Sequence, residues 1–209
     1  MAIAFDSTVA GSTASATSLT ISQTLASSDN RLLLVATSNG ANVSSGTVTY
    51  AGTAMTNLFT MTSGFDVWYM LNPATGANNI ISQTASSQAL TLIGISYTSV
   101  RQTGFPDAGS AGTTTPAATG TLGLTVSADQ SWVAAFLQST TALIPNISDN
   151  TGRGSAGTAG GVYTPESAGD TNAGQSAGIT KFSFSNGSVN SYLVSFAPLT
   201  SGYIGKYYS

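Results

Sequence analysis

The chain contains no cysteine and no histidine. Without cysteine there is no disulfide framework and no thiolate metal site. Without histidine, a Ser-His-Asp or Cys-His nucleophile system cannot be assembled, and zinc loses its other main ligand. Charge is scarce as well: 6% of residues are charged, against about 25% in an average soluble protein. Arg31, Arg101, Arg153, Lys181 and Lys206 are scattered. No cluster can neutralise several phosphates at once, so direct nucleic-acid binding is not expected. Long apolar runs are also missing. The longest, Leu32 to Ala36 and Trp132 to Leu137, fall far short of the roughly 20 residues of a membrane helix, and no membrane partner is expected. No apolar period of 3.6 residues persists over three turns, so no long helix is expected.

Hydroxyl groups replace charge. Serine and threonine, 31 of each, supply 62 of the 209 residues. Threonine suits strands and serine suits turns. Short apolar runs recur between Gly, Ser and Asn clusters, which predicts strands at 3–6, 18–23, 31–37, 47–50, 55–59, 65–71, 79–84, 89–97, 122–126, 131–138, 179–184 and 190–197. Tyr192, Val194 and Phe196 alternate with Ser191 and Ser195, as in a strand with one apolar face. Leu32-Leu33-Leu34-Val35 is apolar on both faces, as in a strand covered on each side.

The sequence also echoes itself. Leu19-Thr20-Ile21-Ser22 followed by Asp29-Asn30-Arg31-Leu32 parallels Leu124-Thr125-Val126-Ser127 followed by Asp129-Gln130-Ser131-Trp132. Gly76 to Tyr97 and Gly178 to Phe196 form a second such pair. Two similar halves facing each other predict an all-β fold, a two-sheet antiparallel jelly-roll or Greek-key sandwich. We read residues 1–198 as one β-sandwich domain and 199–209 as a C-terminal tail. Two stretches, 104–121 and 148–175, read as long loops.

The order Val48-Thr49-Tyr50-Ala51-Gly52-Thr53-Ala54-Met55, Val67-Trp68-Tyr69-Met70-Leu71-Asn72-Pro73, Gly76-Ala77-Asn78-Asn79-Ile80, Ile93-Gly94-Ile95-Ser96-Tyr97 and Leu193-Val194-Ser195-Phe196-Ala197-Pro198 resembles a known module. It is the jelly-roll-like β-sandwich module of tailed-phage and environmental viral structural proteins, found also in bacterial surface proteins. The resemblance spans residues 17–198. It implies a virion structural role, such as a capsid decoration, head fibre or tail-associated subunit, and supplies no catalytic motif. The N-terminus lacks the charged and apolar regions of a signal peptide. The expectation is therefore a protein made in the host cytoplasm and carried on the outer surface of a virion. The alternative is a carbohydrate-binding or adhesion module.

No enzyme activity and no cofactor are expected. A glycosidase needs only two carboxylates, but Asp6, Asp29, Asp66, Asp107, Asp129, Asp149, Glu166 and Asp170 mostly neighbour Ser, Asn or Gly, as turn-forming acids do. Gly152-Arg153-Gly154-Ser155-Ala156-Gly157 matches the dinucleotide pattern without the strand and helix that would give it meaning. Asp149-Asn150 and Asp170-Thr171-Asn172 are the best fragments for a structural calcium, but no metal site is assigned. Trp68, Tyr69, Trp132, Phe136, Phe182 and Phe184 read as core, with one exposed tryptophan as the sugar platform of the alternative.

The tail carries Tyr203, Ile204, Tyr207 and Tyr208, too apolar for a free terminus. We assign these four to partner binding, on a neighbouring subunit or on the major capsid or tail protein beneath. Sparse surface charge and the sandwich form point to a homo-oligomer, a trimer as first expectation.

Overall fold

The computed structural model describes residues 1–39, 46–61, 64–115, 119–126, 129–139, 146–147, 150–157, 166–175, 178–185 and 189–199. Every regular element among them is a strand, and all strand pairs are antiparallel. The fold class is thus all-β, a jelly-roll-like sandwich.

The first half contains β1 (Ala4–Leu25), β2 (Leu32–Asn39), β3 (Thr47–Tyr50), β4 (Thr53–Ala54), β5 (Thr56–Met61), β6 (Phe65–Leu71) and β7 (Gly76–Thr98). The second contains β8 (Ala108–Thr115), β9 (Thr119–Val126), β10 (Trp132–Ser139), β11 (Asn146–Ile147), β12 (Thr151–Ala156), β13 (Glu166–Asp170), β14 (Gly178–Ser185) and β15 (Val189–Phe196). The seven strands of the first half form one sheet; the second half forms a five-stranded and a three-stranded sheet.

In the first half, β1 and β7 form one long ribbon whose register breaks between Thr13 and Ser18. There the ribbon folds back on itself. The Gln23 side-chain amide donates to the Ser7 carbonyl, and the Ser7 hydroxyl donates to the Thr24 carbonyl. Glycine permits the close approach: a Cβ on Gly94 would stand 2.5 Å from Gln23 Oε1 and 2.7 Å from Ile80 Cδ1. The folded ribbon encloses an apolar core of Leu25, Leu33, Val35, Val48, Trp68, Ile80 and Leu92.

The second half repeats this plan. Strands β8 and β9 take the places of the two arms of β1, and β15 and β14 those of β7. Strand β10 sits between β13 and β15 as β2 sits between β6 and β7. The hairpin partners β5–β6 and β12–β13 also correspond, down to a bulge that sets aside Leu58 in one and Arg153 in the other. The echo in the sequence is therefore an echo in topology.

The two halves pack face to face. Leu32, Leu34, Phe65, Val67, Ile95 and Tyr97 from the first meet Trp132, Phe136, Tyr192, Val194 and Phe196 from the second in one buried cluster. Period-two alternation explains the double use of each central strand. Leu32 and Leu34 face this central core while Leu33 and Val35 face the first half's own core. Trp132, Ala134 and Phe136 face the centre while Val133, Ala135 and Leu137 face the second half's core.

Two expectations need correction. Residues 104–121 and 148–175 are not simply loops, since they hold β8, part of β9, β12 and β13. Small residues explain both the misreading and the structure. They carry no apolar alternation, yet they let strands approach closely. A Cβ on Gly154 would lie 3.3 Å from Thr8 Oγ1 and 3.9 Å from Ile93 Cγ2, so β12 rests directly on the β1–β7 ribbon.

Candidate functional site

A dense polar constellation lies where the halves meet. Strand β13 places Asp170, fully buried, opposite Tyr97 at the end of β7. The Tyr97 hydroxyl donates to Asp170 Oδ2 at 2.9 Å. From β12, Arg153 Nε donates to the same oxygen at 2.8 Å and Nη2 donates to Oδ1 at 2.9 Å, a bidentate pair. The Asn172 backbone N–H adds a further bond to Oδ1 at 2.9 Å. The guanidinium carbon stands 3.9 Å from the centroid of the Phe5 ring, a cation–π contact, and Nη2 also donates to Asn172 Oδ1.

Burial raises the Tyr97 phenol well above its ordinary pKa near 10, and the negative charge of Asp170 adds to the rise. The phenol stays protonated and serves as a donor. Both carboxylate oxygens of Asp170 are occupied by Arg153, Tyr97 and Asn172. The arrangement suits a clamp between the halves. It leaves the carboxylate little capacity to take a proton from a substrate or to bind calcium, so the Asp170-Thr171-Asn172 fragment is a clamp element. Among the described residues no group of three or more acidic side chains could hold a metal ion.

At the corresponding place across the pseudo-symmetric core the chemistry differs. Strand register puts Leu58 where Arg153 stands and Tyr69 where Asp170 stands, and Tyr69 packs on Phe105 with ring centroids 4.7 Å apart and planes at 42°. One plan thus carries an ion pair on one side and an aromatic pair on the other.

A second pair of polar contacts is conserved between the halves in geometry. Ser96 Oγ donates to Asp6 Oδ2 at 2.9 Å, and Ser195 Oγ donates to Asp107 Oδ1 at 2.6 Å. The Ser131 hydroxyl also donates to Asp107. Each aspartate ties the start of its half to that half's last strand. The acids read as turn residues divide accordingly. Asp29 and Asp129 lie exposed in turns, Asp66 and Asp170 are buried in strands, and Asp6 and Asp107 hold serines. The Gly152 to Gly157 pattern is largely strand β12, and its arginine is the clamp's cation.

Trp68 and Trp132 are both buried, at 8% and 7% exposure, so neither offers a sugar platform. Phe136 is fully buried and Tyr69 partly so; the side chains of Phe182 and Phe184 lie outside the described residues, as do Asp149 and the side chain of Glu166. Tyr203, Ile204, Tyr207 and Tyr208 also lie outside the described residues. The last described position, Leu199, is held by its N–H to the Ser99 carbonyl and by its carbonyl to the N-terminal amine of Met1.

The strand plan, the shared core and the internal clamp define an all-β antiparallel sandwich built from two like halves. No protein family matches the sequence, and no curated protein and no solved structure matches it either.

Proposed function

We propose that this chain is a non-enzymatic structural subunit of a virus particle, a capsid decoration, head fibre or tail-associated protein that works through protein–protein contacts. The observation that carries the reading is the scaffold itself. Two copies of one strand plan share a single aromatic core, and the buried Arg153–Asp170 pair joins strands of the second half to Tyr97 and Phe5 of the first. Such a body is held by one shared core and one ion pair, and its hydroxyl-rich composition supplies polarity with little charge. The resemblance to viral structural modules read from the sequence over residues 17–198 points the same way.

In this role the protein sits on the outer surface of the virion as a homo-oligomer, a trimer first. The tail with Tyr203, Ile204, Tyr207 and Tyr208 docks on a neighbouring subunit or on the major capsid or tail protein. The chain reaches the tail beside Met1 and Ser99, at one end of the sandwich. Peptide mass spectrometry of gradient-purified particles tests the proposal. Peptides of this chain at a fixed ratio to the major capsid protein are expected, and their confinement to fractions without particles would overturn it. Deleting residues 200–209 is expected to leave the sandwich folded while reducing oligomerisation or incorporation.

A further inference from the structure

The outer face of the β1–β7–β3 layer is a regular array of uncharged polar side chains. Strand register sets the rows. Ser18, Gln83 and Thr47 form one row, and Thr20, Ile81 and Thr49 the next. Ser22 lies opposite Asn79, whose carbonyl accepts from the Ala51 N–H, and Thr24 lies opposite Ala77. Ser18, Thr20, Ser22, Thr24, Ala77, Asn79, Gln83 and Thr47 are all exposed. Antiparallel geometry spaces such side chains about 4.8 Å across strands and about 6.8 Å along them. None of these positions is charged.

At one end the face dips into an open depression of about 350 Å³ lined by Ala51, Gly52, Ala77, Asn78, Asn79 and Ile81, within the size range of small-molecule sites. Its floor is ordered from beneath. Tyr50 is fully buried, and its hydroxyl donates to the Ala74 carbonyl at 3.1 Å. The Asn78 side-chain amide donates to the Thr75 carbonyl at 3.0 Å and to the Tyr50 hydroxyl at 3.5 Å. Asn78 thus points inward on the side of Gln23 and Ile80, and the exposed amide at the depression is that of Asn79, which supplies both donor and acceptor capacity. Gly52, at φ +77°, has no atom within 4 Å of where a Cβ would stand, so the rim there is open.

We propose that this depression, with the hydroxyl rows running from it, is a binding site for a neutral oligosaccharide. An uncharged ligand dense in hydroxyls matches a face that offers amides and hydroxyls and no charge. The rows extend the contact beyond one sugar ring. Anionic glycans and phosphate-bearing ligands find no cation among the residues that line the depression. The site is independent of the particle-subunit reading, because a virion surface protein and an adhesion module could equally carry it.

The test is a glycan array probed with the full-length protein. Titration calorimetry with cellotetraose, maltotetraose and chitotetraose follows. Ala77→Trp fills the depression, and Asn79→Ala removes the exposed amide. Both positions are exposed, and circular dichroism checks that each variant keeps its strands. The expected result is binding to at least one neutral glycan class that weakens tenfold or more in both variants. Binding to no neutral glycan at millimolar concentration overturns the proposal. So does binding confined to sialylated or sulfated glycans, or binding that both folded variants retain unchanged. Particle mass spectrometry is unaffected by any of these outcomes, so the two proposals fail separately.

Discussion

Asn30 and Gln130 hold the same left-handed backbone conformation, φ 57° and 65°, each two residues before the central strand of its half. The left-handed region is tolerated by asparagine and costs other side chains roughly 1–2 kcal/mol. The two halves thus meet one backbone requirement with residues of unequal fitness. Gln130→Asn is expected to stabilise the protein by up to about 1 kcal/mol, and Asn30→Gln to destabilise it by a similar amount. Urea denaturation of the pair checks both signs.

The Arg153–Asp170 clamp is expected to behave as a buried ion pair. Removing one partner leaves an uncompensated charge, at a cost of about 3–5 kcal/mol. Arg153→Met alone and Asp170→Asn alone should each approach that loss. The double variant should lose less than the sum, because neither charge is then stranded. Denaturation midpoints across the four proteins measure the coupling, and simple additivity would contradict the clamp.

Much of the fold is legible in the sequence where apolar residues carry the pattern. Leu32-Leu33-Leu34-Val35 reads as covered on both faces, and each pair of alternate residues meets its own core. Tyr192, Val194 and Phe196 read as one face and are buried together. The pattern fails where pairing rests on backbone alone. Residues 7–17 link the stretches 3–6 and 18–23 into a single strand through Ser, Thr, Ala, Gly and the single Val9, with no apolar period to reveal it. Strand β8, Ala108–Thr115, which holds only Ala, Gly, Ser and Thr, is equally silent. The clamp had one weak signal, a lone arginine among glycines in a chain with five basic residues. What a residue 17 positions away would do with it is set by the register of β12 on β13.

Alkaline stability should fall on account of Tyr97. Folded, its pKa lies well above 10, while in the unfolded chain it is near 10. Below pH 10 the phenol is neutral in both states and the stabilisation is intact. Above pH 10 the unfolded state alone releases the proton. Stability then declines by about 1.4 kcal/mol per pH unit for this group until the folded pKa is reached. Tyr50, raised by burial, acts in the same direction. Tyr97→Phe is expected to be less stable at pH 7 yet to show a shallower decline above pH 10. Unfolding curves at pH 8, 10 and 11 check this.

Glycine positions separate packing from pattern. Gly94→Ala forces a methyl group against Gln23 and Ile80, and overpacking of this kind costs about 1–3 kcal/mol. Gly152→Ala meets nothing within 4 Å and should change stability by less than about 0.5 kcal/mol. Equal effects at the two positions, read from thermal midpoints, would contradict the folded ribbon.

Native-state hydrogen exchange resolved to single strands tests most directly the claim that two like halves share one core. The expected result is that amides of Leu32–Asn39 and Trp132–Ser139 fall in the same slowest class and open with the same free energy, because each strand is buried from both sides. Denaturant should lower both in parallel. If the β10 amides exchange through a separate, much cheaper opening while β2 stays protected, the halves do not form one cooperative core, and the account is contradicted.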